Sequence, residues 1–156
     1  MLKVVIIDGN SITRHLLSTL LVAGGHDVIG DSNTSDAGLA RAIKLQPQIV
    51  CIDVGDASDQ GFGMLDLLRE SLPKALIFLV SGNLHPAVVQ GAAQRGIHGF
   101  IVKPFNPMTV QNIIRNAILK IARQQQARAA TTTQGMPATT DADVPSPANQ
   151  ASDSAS

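Results

Sequence analysis

Four polar side chains stand where apolar runs end. Val4-Val5-Ile6-Ile7 runs into Asp8, Ile49-Val50-Cys51-Ile52 into Asp53, Ala75 to Val80 into Ser81, and Phe100-Ile101-Val102 into Lys103. An unbroken apolar run of strand length suits a central strand of a parallel sheet covered on both faces. The residue that follows such a run lies at the strand's carboxyl end, where open α/β sheets gather ligands and chemistry. Two carboxylates, a hydroxyl and an ammonium at one edge suit phosphoryl transfer onto a carboxylate. That chemistry needs a nucleophilic acid, neutralisation of the phosphoryl oxygens and a divalent cation held by neighbouring acids. Asp53 is the candidate phosphoacceptor. Asp8 can hold a hard cation such as magnesium. Lys103 brings a point positive charge, and Ser81 a hydroxyl to donate to a phosphoryl oxygen. A single strand-end acid would read as a helix cap; the four together favour the chemistry.

The elements that must position these groups alternate along the chain. Leu2 to Ile7 reads as a strand, followed by a helix capped by Asn10 or Ser11 with an apolar face of Ile12, Leu16, Leu20 and Ala23, closed by Gly24-Gly25. Val28-Ile29 is a short strand at an edge. Ser35 to Gln46 is a helix stopped by Pro47, and the Ile49–Ile52 strand follows. A helix with Met64, Leu65, Leu68 and Leu72 leads to the strand Ala75 to Val80. The fourth helix begins near Pro86 and ends by Gly96. Gly99 to Val102 is the last strand. Asn106-Pro107 opens the last helix, whose stripe is Val110, Ile113, Ile114, Ala117, Ile118 and Ile121. Five strands alternating with five helices imply an α/β fold, a doubly wound parallel sheet with right-handed crossovers.

Of 156 residues, 44% are hydrophobic, enough for one good core. All 12 basic residues lie at or before Arg128, whereas Asp141, Asp143 and Asp153 of the 12 acidic ones lie after it. This mild basic excess gives no clustered face for nucleic acid. Cys51 is the single cysteine; within a strand run it reads as a small core residue, and its solitude suits a reducing compartment. No run approaches membrane-spanning length, so a cytoplasmic protein is expected. His15, His26, His85 and His98 lack metal-ligand spacing and are expected at surface or boundary positions. From about Ala129 the chain is Ala, Thr, Ser, Pro, Gln and Asp, and disorder is expected there.

Residues 1 to about 122 resemble the receiver domain of two-component response regulators, of the stand-alone, chemotaxis-regulator kind, leaving 123–156 as the end of the last helix and a tail. The resemblance rests on Ile-Ile-Asp8 with Ser11 and Arg14 following, and on Ile-Val-Cys-Ile-Asp53 with Gly61 beyond it. Leu-Val-Ser81-Gly and Phe100-Ile-Val-Lys103-Pro104-Phe105 complete it. It implies a flavodoxin-like sheet of order 2-1-3-4-5 and phosphorylation of Asp53 by a sensor histidine kinase or phosphotransfer protein. It also implies Mg2+ held by Asp8, Asp53 and the backbone carbonyl of Gly55, a Lys103-Pro104 bond that is often cis, and a moving pair in Ser81 and Phe100. Output is expected through a downstream protein partner on the fourth helix, last strand and last helix, where relatives also form homodimers. Self-phosphorylation aside, no enzymatic activity is implied.

Gly9 departs from the pattern, standing where the family usually carries a second acid, so weak metal binding is expected. Ala57 replaces a usual proline. Asp56 and Asp59 are close in sequence, but nothing in their spacing brings them to the metal. The alternative reading is a receiver-shaped interaction module that works without phosphorylation. Phosphatases of the haloacid-dehalogenase type share the strand-end Asp, Ser and Lys. They need Asp-x-Asp after the first strand, where this chain reads Asp8-Gly9-Asn10, and acids after the lysine, where it has only the tail. A flavin site would want aromatic rings, and the chain has no Trp or Tyr.

Overall fold

The computed structural model describes residues 1–55 and 59–135, with side chains up to 129. The elements run β1 (Lys3–Ile7), α1 (Ser11–Ala23), β2 (Asp27–Ser32), α2 (Asp36–Lys44), β3 (Ile49–Ile52), α3 (Asp59–Ser71), β4 (Leu76–Ser81), α4 (Pro86–Gln94), β5 (Gly99–Val102) and α5 (Pro107–Gly135). The five strands form one sheet of order β2-β1-β3-β4-β5, and every neighbouring pair is parallel. By its own contacts the chain divides into Met1–Ala117 and Ile118 onward, a division that falls inside α5. The sheet and all four strand-end residues belong to the first unit.

Register places the site. Ile7 pairs with Ile52, and Cys51 with Phe78, so the carboxyl ends of β1, β3 and β4 finish at one edge. Side chains alternate across the sheet. Val5, Ile7, Val50, Ile52, Ile77 and Leu79 share one face, packed with Leu39, Ala42, Leu65, Leu68 and Ala92. Val4, Ile6, Cys51 and Phe78 take the other face and are also buried. Cys51 is fully buried, and burial pushes its thiol up to about 12 from an ordinary 9.0.

Three sequence expectations need correcting. The apolar face of α1 is displaced by one residue: Leu17 and Leu21 are buried, whereas Ile12 is 72% and Leu16 53% exposed. Leu16-Leu17 and Leu20-Leu21-Val22 offer two stripes at the same four-residue spacing, so periodicity alone does not choose between them. Arg14 reaches from α1 to the carbonyl of Asp8 at 2.6 Å, an anchor that suits the observed rotation. β2 extends over six residues rather than the apolar Val28-Ile29, because pairing with β1 is a backbone matter that the polar Asp27, Asp31 and Ser32 satisfy equally. α5 continues past Ala129 to Gly135 although that stretch holds three threonines and a glycine of poor helix propensity, because adding residues to an established helix avoids the cost of nucleating a new one. The rest of the expected tail lies outside the described residues.

The turn into α2 is closely built. Ser35 caps the helix by accepting from the Gly38 amide at 3.0 Å, and Asn33 Oδ1 accepts from the Ser35 amide and hydroxyl. A Cβ at Gly38 would fall inside van der Waals contact with the Asn33 backbone carbonyl, which cannot swing away. Alanine would ordinarily gain up to about 1 kcal/mol over glycine in a helix. Here Gly38→Ala should instead destabilise the protein by about 1–3 kcal/mol, the usual cost of overpacking, as measured by urea unfolding.

Candidate phosphoacceptor site

Asp8 follows β1 directly, and its amide donates to the Ser32 carbonyl at the end of β2 at 3.0 Å. Its Oδ1 accepts from the Asn10 amide at 2.8 Å, the short-range bond that Asp commonly makes in turns. Asn10 in turn caps α1, its Oδ1 accepting from the amides of Ile12 and Thr13. Asp53 mirrors this arrangement at the end of β3. Its amide donates to the Ile7 carbonyl at 2.9 Å, and its Oδ1 accepts from the Gly55 amide at 2.8 Å. Gly55 sits at φ 77°, a conformation that suits glycine, so the tight turn after Asp53 is relaxed.

With one oxygen of each carboxylate held by backbone, the other oxygen of each turns to Lys103. The ammonium stands 2.9 Å from Asp8 Oδ2 and 2.5 Å from Asp53 Oδ2. Asp8 is buried, at 5% exposure. Burial alone would pull the Lys103 ammonium down, but the hydrogen bonds and charges of Asp53 and Asp8 outweigh it and hold its pKa above the ordinary lysine value. The backbone of Lys103 is tied to β4, its amide donating to the Ser81 carbonyl at 3.0 Å. The Lys103-Pro104 bond is cis.

Ser81 ends β4 and is nearly buried; its Oγ accepts from the Asn83 amide at 3.0 Å. It lines a small cavity of about 160 Å³ with Gly55, Asn83, His85, Phe62 and Val88, opening between the turn after Asp53 and the start of α4. Phe100, half-buried, pairs with Leu79 in the sheet and packs on the same core face. Asp8, Asp53 and Lys103 are thus brought together, and Ser81 and Gly55 share the adjoining cavity. Gly9 is exposed, and a Cβ there would meet nothing within 4 Å. Asp59 is exposed at the start of α3, while Asp56 and Ala57 lie outside the described residues.

The sequence offers Asn10 or Ser11 as the cap of α1, and Asn10 takes that place; the tasks of Arg14 and His98 were not assigned by sequence reasoning. Arg14 braces the Asp8 carbonyl and pairs with Asp31 at 3.8 Å. The ring Nδ1 of His98 accepts from the Ile77 amide at 3.1 Å, a structural task within the boundary placement expected of it. Asn10 alone carried a readable signal, as a cap residue two positions after an acid.

Among the described residues no three His, Cys, Asp or Glu side chains cluster as a metal cage. Magnesium does not need one, since it keeps several waters and takes one or two carboxylates. Two converging carboxylates beside a backbone turn fit that ion.

A five-stranded parallel sheet of order 2-1-3-4-5 with two acids and a lysine at its carboxyl edge defines a flavodoxin-like α/β domain of the receiver type. The profile of the response regulator receiver domain matches residues 4–115, and the chain belongs to that family. It is 28% identical over 108 residues to the chemotaxis protein CheY of Thermotoga maritima, covering 69% of this chain and 90% of that one. Identity to the transcriptional regulatory protein LnrK of Bacillus subtilis is 26% over 111 residues, covering 70% of this chain and 50% of that one. The chain therefore spans most of the short chemotaxis relative but half of the longer regulator. Among solved structures it is similar to the chemotaxis protein CheY4 of Vibrio cholerae, with TM-score 0.63, 25% identity and coverage of 75% of this chain and 98% of that one. Receiver domains of this family generally bind Mg2+ at the phosphorylation site and interact with histidine kinases or phosphotransfer proteins and with downstream targets. Among the described residues no helix is long and apolar enough to cross a membrane.

The raised pKa of Lys103 has a stability consequence of definite sign. A cation whose folded-state pKa lies above its unfolded value contributes stability that is fully present below the unfolded value. That contribution is lost as pH rises through the folded value. Denaturant titrations above neutrality should therefore show the stability gap between wild type and Lys103→Met shrinking once pH passes the ordinary lysine value of 10.5.

Proposed function

We propose that this chain is a phosphorelay receiver that accepts a phosphoryl group on Asp53 from a sensor histidine kinase or phosphotransfer protein and signals through a downstream protein partner. The observation that carries this reading is the pair of carboxylates on adjacent strands, each anchored by a backbone amide and both turned to one ammonium. In the reaction an Asp53 carboxylate oxygen attacks the phosphorus of a phosphohistidine, the new O–P bond forms as the N–P bond breaks, and the imidazole nitrogen takes up a proton. Magnesium, when bound by Asp8, Asp53 and the Gly55 carbonyl, supplies charge neutralisation for the phosphoryl oxygens. Lys103 adds a second cation, and the Ser81 hydroxyl donates to a phosphoryl oxygen. Ser81 and Phe100 are the pair whose rearrangement reports the modification, and α4, β5 and the start of α5 are the surface that a partner or a second copy reads. The functional domain is taken as residues 1–122.

Incubation with a small-molecule phosphodonor and magnesium should label wild type and leave Asp53→Asn unlabelled, as read by phosphate-affinity gel mobility. Equal labelling of the two proteins would refute the assignment of Asp53. In Lys103→Ala the phosphorylation-dependent change in partner affinity should disappear while the unfolding transition stays cooperative.

A second reading has its own observation. Gly9 leaves the site one carboxylate short, and a receiver that does not phosphorylate would act as a constitutive interaction module. The open space at Gly9 and its ordinary backbone conformation leave room for a carboxylate there. Gly9→Asp should tighten magnesium binding by about tenfold, the kind of step that ligand charge makes at hard-cation sites. Without metal it should lower stability by about 1 kcal/mol through crowding of three acids. Magnesium titrations followed by thermal unfolding test both effects, and equal affinities would show that Gly9 leaves no gap.

A further inference from the structure

Away from the acidic site, on the α2 side of the sheet, a cleft of about 470 Å³ opens between β2 and α2. Its floor is apolar. Val5 and Ala42 are buried there, and Leu45 lies over β2, where Gly30 leaves it room; a Cβ at Gly30 would come 2.8 Å from Leu45 Cδ1. Leu45 is nevertheless 45% exposed, an apolar wall facing open space. Ser32 also lines the cleft. It pairs with Ile7 and so faces the same side of the sheet as Val5. Ser32 is 5% exposed, and its Oγ is buried without a hydrogen-bond partner among the described residues. Buried hydroxyls in native proteins are nearly always satisfied, so one that the chain leaves unmatched at the wall of a cleft is suited to an incoming group.

Charge decides what kind of group. Arg41 and Lys44, one turn apart on α2, both line the cleft, are both exposed and make no ion pair among the described residues. The cleft's single acid, Asp31, is already paired with Arg14. The local excess is two cations beside an apolar floor. Small-molecule sites typically combine a mostly apolar lining, a few convergent polar groups and a volume of about 300–1,000 Å³. We propose that this cleft binds a small aliphatic carboxylate, its chain lying over Val5, Ala42 and Leu45 and its headgroup taken by Arg41, Lys44 and the Ser32 hydroxyl. Binding there does not depend on Asp53 or on phosphorylation.

The test is a titration of the full chain with octanoate below its micelle concentration, followed residue by residue in amide correlation spectra. Octylamine and octanol are titrated in parallel. Octanoate should give saturable shifts at Val5, Ser32, Ala42 and Leu45, and bind at least about tenfold more tightly than the amine or the alcohol, the worth of one good charged contact. The double variant Arg41→Glu/Lys44→Glu changes only exposed side chains and should keep its spectrum of folded amides while losing about tenfold or more in octanoate affinity. Ser32→Ala should weaken octanoate without changing its preference over octylamine. The proposal is overturned by any of three results: no saturable shift with octanoate, equal affinity for octylamine or octanol, or undiminished octanoate binding in the charge-reversed variant.

Discussion

Everything at the carboxyl edge depends on one ammonium shared by two carboxylates. Lys103 follows β5, Asp53 follows β3 and Asp8 follows β1, with β4 lying between β5 and β3. The lysine must therefore reach across a neighbouring strand to meet both acids, which a flexible four-carbon stem ending in a compact charge can do. Without that cation, two acids at adjacent strand ends would repel, and the buried Asp8 carboxylate would lose its ion-pair partner. The arrangement also leaves each acid with one oxygen tied to backbone and one turned to the shared ammonium. Orientation thus comes from the turns after β1 and β3, and charge balance from residues that are far away in sequence.

Most of this was legible because the signals were of different kinds. The buried runs of β1, β3 and β4 are apolar at every position, which only a sheet covered on both faces requires, and each ends in the polar residue that matters. The sheet order, by contrast, rested on resemblance. Where reading failed, two patterns competed or no side-chain pattern existed. The rotation of α1 was ambiguous between adjacent leucine stripes, and Arg14, a single long-range tether, is invisible to periodicity. The true length of β2 is recorded in backbone pairing, to which Asp27 and Asp31 are indifferent. The bond from the Ile77 amide to His98 joins residues far apart in sequence, and no local spacing predicts such a pairing.

The helices on the Leu79 face are clasped as well as packed. Phe62 of α3 occupies the space that Gly91 of α4 leaves, and the Arg95 guanidinium stands 4.4 Å from the centre of its ring while pairing with Asp66 at 3.1 Å. Arg95 also donates to the Gly91 carbonyl at 2.8 Å. α4 holds three alanines and Gly91 among its nine residues, and its N-cap residue, His85, makes no side-chain capping bond. Its attachment therefore comes largely from these contacts with α3. Phe62 and Val88 also line the cavity beside Ser81, so the same aromatic ring that holds α4 bounds the space next to the turn after Asp53.

Cys51 lends this strand a use unrelated to signalling. It lies one residue from the end of β3, between Ile6 on one side and Phe78 on the other, and the chain has no second thiol. A thiol so enclosed, and so reluctant to ionise, can meet an alkylating reagent only when the central sheet parts around it. Its rate of modification therefore keeps time for the rarest openings of the molecule. The chain carries its own stopwatch two positions before Asp53.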